Sequence, residues 1–162
     1  ARAGDATSRA SRASMVWAVA APCTVAALAT RLFGVAQLPF DPVWASRIAL
    51  VALATGLAIR VAALRALGPL YSVDVSVRPN HQLVTSGLYR TVRHPAYAGL
   101  LLCFLAVGVA SWSWIGLPLA TVPVTLAFAH RIRIEEKALE ERFGQAYRDY
   151  RRTSSRLVPG LY

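Results

Sequence analysis

The chain has 162 residues, 56% of them apolar, and a mean hydropathy of +0.43, which is too apolar for a soluble domain of that size. Its net charge of +10 would suit a nucleic-acid binder, but the arginines collect between the apolar runs instead of forming a basic stripe with interleaved aromatics. Nucleic acid is therefore excluded as a partner, and the lipid bilayer with its headgroups is expected in its place.

Residues 1–14 are small, polar and arginine-bearing (Arg2, Arg9, Arg12) and read as a cytoplasmic lead-in. A first span is expected over about residues 15–38, with Arg31 as its only charge, placed to snorkel toward the far interface. It lacks a clean small-residue cleavage site and reads as a retained span. The run Pro39-Phe40-Asp41-Pro42 makes a short outer turn, because two prolines remove donors and restrict the residues before them. A second span over about residues 43–67 brings the chain back, so that residues 15–67 form an N-terminal pair. Residues 68–94 are the longest polar stretch and read as a functional cytoplasmic loop.

Pro95 suits the first turn of a helix. Third and fourth spans, over about residues 95–111 and 114–130, form a tight hairpin across 95–130 with Trp112 and Trp114 at its turn. The helical pattern then continues through residues 131–150, where Ile132, Ile134, Leu139, Phe143 and Tyr147 recur among charges and Gly144 is a candidate break. The expected fold is all-α: one membrane domain over residues 1–162, a multi-pass bundle of about four transmembrane helices whose C-terminal hairpin extends into a cytoplasmic helical segment, 131–162. Of the 18 Lys and Arg, only Arg31 and Arg47 fall on the outer side, so both termini and the central loop are placed in the cytoplasm. Cys23 and Cys103 lie in apolar runs without ligand-spaced neighbours and read as buried thiols, and no metal site is expected.

Nearly all the functional polarity sits in residues 81–99 and 130–150, and a hairpin that leaves and returns on one side brings these segments to similar depth. Arg131 and Glu135 stand one helical turn apart on one face. Spacing alone leaves two readings open: an ordinary interfacial ion pair, or an Arg131 fork for an acceptor carboxylate beside a Glu135 that holds a cofactor. His94 before Pro95 reads equally as a helix cap or as a site residue.

The run His81-Gln82-Leu83-Val84-Thr85-Ser86-Gly87-Leu88-Tyr89, followed by Arg93-His94-Pro95-Ala96-Tyr97-Ala98-Gly99, resembles the isoprenylcysteine carboxyl methyltransferase family. Arg131, Glu135-Glu136, Phe143-Gly144, Tyr147 and Tyr150 resemble its second motif in the same order. The resemblance covers roughly residues 67–162. It implies an S-adenosylmethionine site, with S-adenosylhomocysteine as product, formed by His81, Gln82, Leu83, Val84, Tyr89, His94, Pro95, Ala96, Tyr97 and Glu135. It also implies that Arg131 meets the acceptor carboxylate, making Arg131 and Glu135 the expected catalytic pair. The expected acceptor is a lipidic small molecule reached from the bilayer. The chain has fewer upstream spans than the eukaryotic enzymes, which leaves room for another lipid acceptor or for completion by a second subunit of a homo-oligomer.

Methyl transfer from a sulfonium is an in-line displacement, and a carboxylate acceptor is ionised at neutral pH, so that chemistry needs no general base. An amine acceptor would need one, with Glu135, Glu136 or His94 as candidates. No G-x-G-x-x-G loop of the soluble dinucleotide kind occurs. The leading expectation is O-methylation of a carboxylate such as that of an isoprenylcysteine. The alternatives are a phospholipid or small-amine N-methyltransferase and a noncatalytic membrane scaffold.

Overall fold

A computed structural model describes residues 3–68 and 83–160, with side chains over 18–68 and 83–160. The expectations for His81 and Gln82, and for most of the central loop, lie outside the described residues. Five α-helices lie among the described residues: α1 (Ala3–Leu32), α2 (Pro42–Leu67), α3 (Pro95–Ala110), α4 (Gly116–Phe143) and α5 (Gln145–Thr153). A 3₁₀ turn, Gly87–Arg90, precedes α3. No strand occurs among the described residues, only two isolated bridges.

The helices of the expected hairpin and second span fall where proline and glycine punctuation put them. The first does not. Helix α1 starts at Ala3, inside the expected lead-in, because alanine and serine continue a helix as readily as they form a polar tail. It ends at Leu32 rather than near residue 38, where Gly34 turns left-handed (φ 64°) and the Val35 N–H closes back on the Thr30 carbonyl at 2.9 Å.

Among the described residues, α2 is the one helix long and apolar enough to cross a membrane, with a mean hydropathy of 1.8 over its most apolar window. Ala18–Leu32 and Pro95–Ala110 are shorter apolar helices. The 16 residues of α3 rise about 24 Å at 1.5 Å per residue, short of a typical hydrocarbon core. Among the described residues, one helix thus meets the length and apolarity of a membrane span, and shorter apolar helices stand where further spans were expected.

The chain packs as two compact units, Ala1–Gly56 with Leu101–Phe128, and Leu57–Leu100 with Ala129–Tyr162. In the first, small residues let helices approach closely: Ala20, Ala27, Ala45, Ala49, Ala106 and Ala120 are buried beside Phe104, Val124 and Phe128. Cys103 is buried there, whereas Cys23 is only half-buried. A Cβ on Gly116 would lie 2.6 Å from Thr30 Oγ1 and collide with Ser111, so the start of α4 admits no side chain. The turn at 111–115 is tied by Ser113 Oγ donating to the Val35 carbonyl (2.8 Å) and the Trp112 indole N–H donating to the Phe40 carbonyl (2.6 Å). Arg31, expected to snorkel, donates instead to the Ala110 carbonyl at 2.6 Å. Asp41 Oδ1 caps α2 by accepting from the Val43 N–H at 2.7 Å.

The second unit gathers the C-terminal turns of α2, the 3₁₀ turn, the start of α3, the charged half of α4, α5 and the tail. Gly144, with φ 54°, lets the chain break between α4 and α5, as its position in the sequence suggests.

Candidate functional site

His94 ends the irregular segment before α3, and its carbonyl accepts from the Tyr97 and Ala98 N–H groups at 3.1 and 3.0 Å, opening the helix with Pro95 at its first position. This places Tyr97 in the first turn. Arg131 Nε donates to the Tyr97 hydroxyl at 2.6 Å, and that hydroxyl donates to Glu135 Oε2 at 3.0 Å. The two α4 residues that spacing puts on one face are therefore joined through a phenol from α3. All three side chains are half-buried.

Glu136 follows Glu135 directly, so it points about 100° away around α4 and enters a different environment. Its side chain is 7% exposed. Arg93 Nε donates to Oε1 at 3.1 Å, and Arg156 donates to both oxygens, at 3.2 and 2.7 Å. His94 Nε2 lies 3.4 Å from Oε1 but without hydrogen-bond alignment, so that contact is electrostatic. Burial pushes the Glu136 carboxyl up, but the polar contacts and charges of His94 and Arg156 outweigh it and hold the pKa at about 2. Glu136 is a fixed anion and a poor proton acceptor, which removes it from the base candidates.

Tyr150 donates to the Tyr89 carbonyl at 2.5 Å, and Tyr89 reaches the Ala63 carbonyl at 3.5 Å. Burial, against the pull of Arg93, raises the Tyr150 phenol to about 12. Tyr147 is 1% exposed, and its hydroxyl has no hydrogen-bond partner among the described residues. Burial, then the charge of Glu136, pushes that phenol up, so it stays a neutral donor.

Of the expected site residues, His94, Pro95, Ala96, Tyr97, Arg131 and Glu135 come together in the second unit. Arg60 donates to the Ala96 carbonyl at 3.3 Å. Tyr89 is buried behind α5, and Leu83 and Val84 are half-buried residues leading into the 3₁₀ turn. The sequence reading did not reach the Arg93–Glu136–Arg156 cluster. The adjacent acids at 135 and 136 signal it in part, since two neighbours on a helix cannot share one site, but nothing around Arg156 distinguishes it from the other tail arginines.

Whether these residues suit a sulfonium cofactor is testable on their own chemistry. His94 Nε2 and the Tyr147 hydroxyl are buried polar atoms lacking a formed hydrogen bond, which suits a polar ligand. The Glu135 carboxylate and the Tyr97 ring are groups that attract a cation or accept from an amine or ribose hydroxyl. The residues fit.

A family model described as phospholipid methyltransferase matches residues 44–146. The chain belongs to that family. Within it, the isoprenylcysteine carboxyl methyltransferase resemblance holds: protein-S-isoprenylcysteine O-methyltransferase A of Arabidopsis thaliana is 32% identical over 118 residues, covering 72% of this chain and 60% of the plant protein. Methanethiol S-methyltransferase of Pseudomonas deceptionensis is 36% identical over 99 residues, covering 61% of this chain and 34% of that enzyme. The solved structure of the eukaryotic intramembrane Ras methyltransferase, an isoprenylcysteine carboxyl methyltransferase, matches with a TM-score of 0.68 at 30% identity, over 73% of this chain and 43% of the other. The chain spans no more than 60% of the length of these relatives. The phospholipid methyltransferase match takes in His94, Tyr97, Arg131, Glu135 and Glu136, and ends before Tyr147, Tyr150 and Arg156.

Proposed function

We propose that this chain is a membrane methyltransferase that moves a methyl group from S-adenosylmethionine to a lipidic or amphipathic acceptor, with a carboxylate such as that of an isoprenylcysteine as the leading acceptor. The observation that carries the reading is the Arg131–Tyr97–Glu135 chain of hydrogen bonds, which sets a cationic fork and a carboxylate on either side of one phenol. Leu83, Val84, Tyr89, His94, Pro95, Ala96, Tyr97 and Glu135 are the described residues that would hold the cofactor, with the Tyr147 hydroxyl as a further donor. When bound, the cofactor supplies an electrophilic methyl whose sulfur leaves as a neutral thioether.

The chain's own part is positioning. Arg131 orients an ionised acceptor and offsets its desolvation. Tyr97 holds Arg131 and Glu135 in register. Glu136, fixed as an anion by Arg93 and Arg156, takes no proton, and a carboxylate acceptor asks for none.

The product's chemistry tests this. With labelled cofactor and a lipidic carboxylate acceptor, label released by mild base marks a methyl ester and supports the reading, whereas base-stable label marks N- or S-methylation. In the proposed orientation the termini and central loop face the cytoplasm. In a chain with Cys23 and Cys103 replaced by Ala, an impermeant thiol reagent outside intact cells should label Gln37→Cys and spare Thr153→Cys; the reverse pattern contradicts the orientation.

A further inference from the structure

Beyond α5 the chain turns back along the segment that leads into α3. The Ser155 N–H donates to the Thr91 carbonyl (2.8 Å), the Arg93 N–H to the Ser155 carbonyl (2.8 Å) and the His94 N–H to the Arg156 carbonyl (3.1 Å), a short parallel pairing of 91–94 with 155–156. Residues 91–94 belong to no helix or strand; the Thr91 and Val92 N–H groups close back on the Leu88 carbonyl, and the pairing with the tail takes the Arg93 and His94 N–H groups. Side chains repeat the tie. Arg93 Nη1 donates to the Ser154 and Arg151 carbonyls while its Nε holds Glu136, and Arg156 closes on the same carboxylate from the tail. Arg93 and Glu136 are nearly buried, at 8% and 7% side-chain exposure, and Arg156 is at 22%.

Charges this enclosed hold their geometry tightly, because loss of one partner leaves the others desolvated and uncompensated. The segment held in this way ends at His94, which opens α3 and sets where Tyr97 stands. The carboxylate at its centre is the helical neighbour of Glu135. We propose that Arg156 is a positioning residue of the methyl-transfer site: through Glu136 and the backbone pairing, the C-terminal tail fixes His94 and Tyr97 against Arg131 and Glu135. The proposal rests on the function proposed above and adds to it a residue beyond the 44–146 stretch of the phospholipid methyltransferase match.

The test uses the full chain in detergent, with S-adenosylhomocysteine affinity read by calorimetric titration and folding read by thermal unfolding. Arg156→Ala should raise the dissociation constant about tenfold, the size expected when a positioning contact of a site slackens. Arg156→Lys should recover only part of this, since a point charge cannot meet two carboxylate oxygens. In a Tyr97→Phe background the Arg156→Ala effect should shrink to less than half, because both changes then act on one contact. A purely structural strap would lower thermal stability and leave affinity within about twofold, or give fully additive affinity losses; either outcome overturns the proposal. If Arg156→Ala yields no folded protein, Arg156→Lys decides: a rise of about threefold or more supports positioning, and parent affinity overturns it. A parent chain that shows no saturable binding defeats the cofactor reading itself, which is distinguishable from a parent that binds and an Arg156 variant that binds equally.

Discussion

In the first unit, the polar side chains around the 111–115 turn end mainly on backbone: Ser113 on the Val35 carbonyl, Trp112 on that of Phe40 and Arg31 on that of Ala110, with Arg31 also reaching Ser46 Oγ at 3.3 Å. In the second unit, guanidinium, carboxylate and phenol groups meet one another, in Arg131–Tyr97–Glu135 and in Arg93–Glu136–Arg156. Bonds to carbonyls satisfy a turn that would otherwise bury unpaired backbone. Enclosed side-chain charges carry a desolvation cost that apolar packing would avoid, and such groups concentrate where charge is used. The contrast separates a region that closes a hairpin from the region in which the proposed function places ligand binding. It predicts that substitutions in the first should change stability alone, while those in the second should divide between stability and ligand handling.

The largest effect is expected at Glu136. Glu136→Ala leaves two guanidinium groups uncompensated and should cost about 3–5 kcal/mol of stability, measured by unfolding in detergent. Its pKa, lowered to about 2 from an ordinary 4.5, also gives a pH signature. A carboxyl whose folded pKa is depressed stabilises fully above its unfolded value and loses that contribution as the pH falls through the folded one. The parent should therefore lose stability between about pH 4.5 and pH 2, and Glu136→Gln should lack that part of the acid limb.

Next in size, Arg131→Ala should remove about 2–5 kcal/mol of transition-state stabilisation with a carboxylate acceptor, leaving cofactor affinity little changed, and Arg131→Lys should restore only part. Glu135→Ala should do the opposite and raise the cofactor dissociation constant. If both leave turnover and affinity within about twofold of the parent, the pair is an ordinary surface interaction of small value. In the first unit, Gly116→Ala should cost about 1–3 kcal/mol by overpacking against Ser111 and Thr30 while cofactor affinity stays unchanged; a change in affinity there would blur the division between the units. The smallest effect is expected at Arg148, half-exposed and 3.6 Å from Glu140, where Arg148→Ala should cost less than about 1 kcal/mol on any readout.

Local punctuation made much of the fold legible. Pro42, Pro95 and Gly144 mark helix boundaries that residue chemistry dictates, and the helical period of 131–150 persists beyond the apolar half of α4 as its spacing predicts. The start of α1 was not legible, because a run of Ala and Ser has the same composition as a small polar tail. At α3 and α4 the helix starts were legible to within about two residues, and α4 runs on past the apolar stretch into the charged half. At the site, i to i+4 spacing put Arg131 and Glu135 together but could not supply the phenol between them, which comes from another helix. Arg156 meets its partners through a tail that pairs with a segment about Arg93, 63 residues away in sequence, and no local pattern encodes such a contact.

The most direct measurement is calorimetric titration of S-adenosylhomocysteine into the detergent-solubilised chain, parent beside His94→Ala and Tyr97→Phe. The account predicts saturable one-site binding by the parent and a clear loss of affinity in both variants, because His94 sets the first turn of α3 and Tyr97 bridges Arg131 and Glu135. No saturable heat with the parent, or parent affinity retained in both variants, would contradict it.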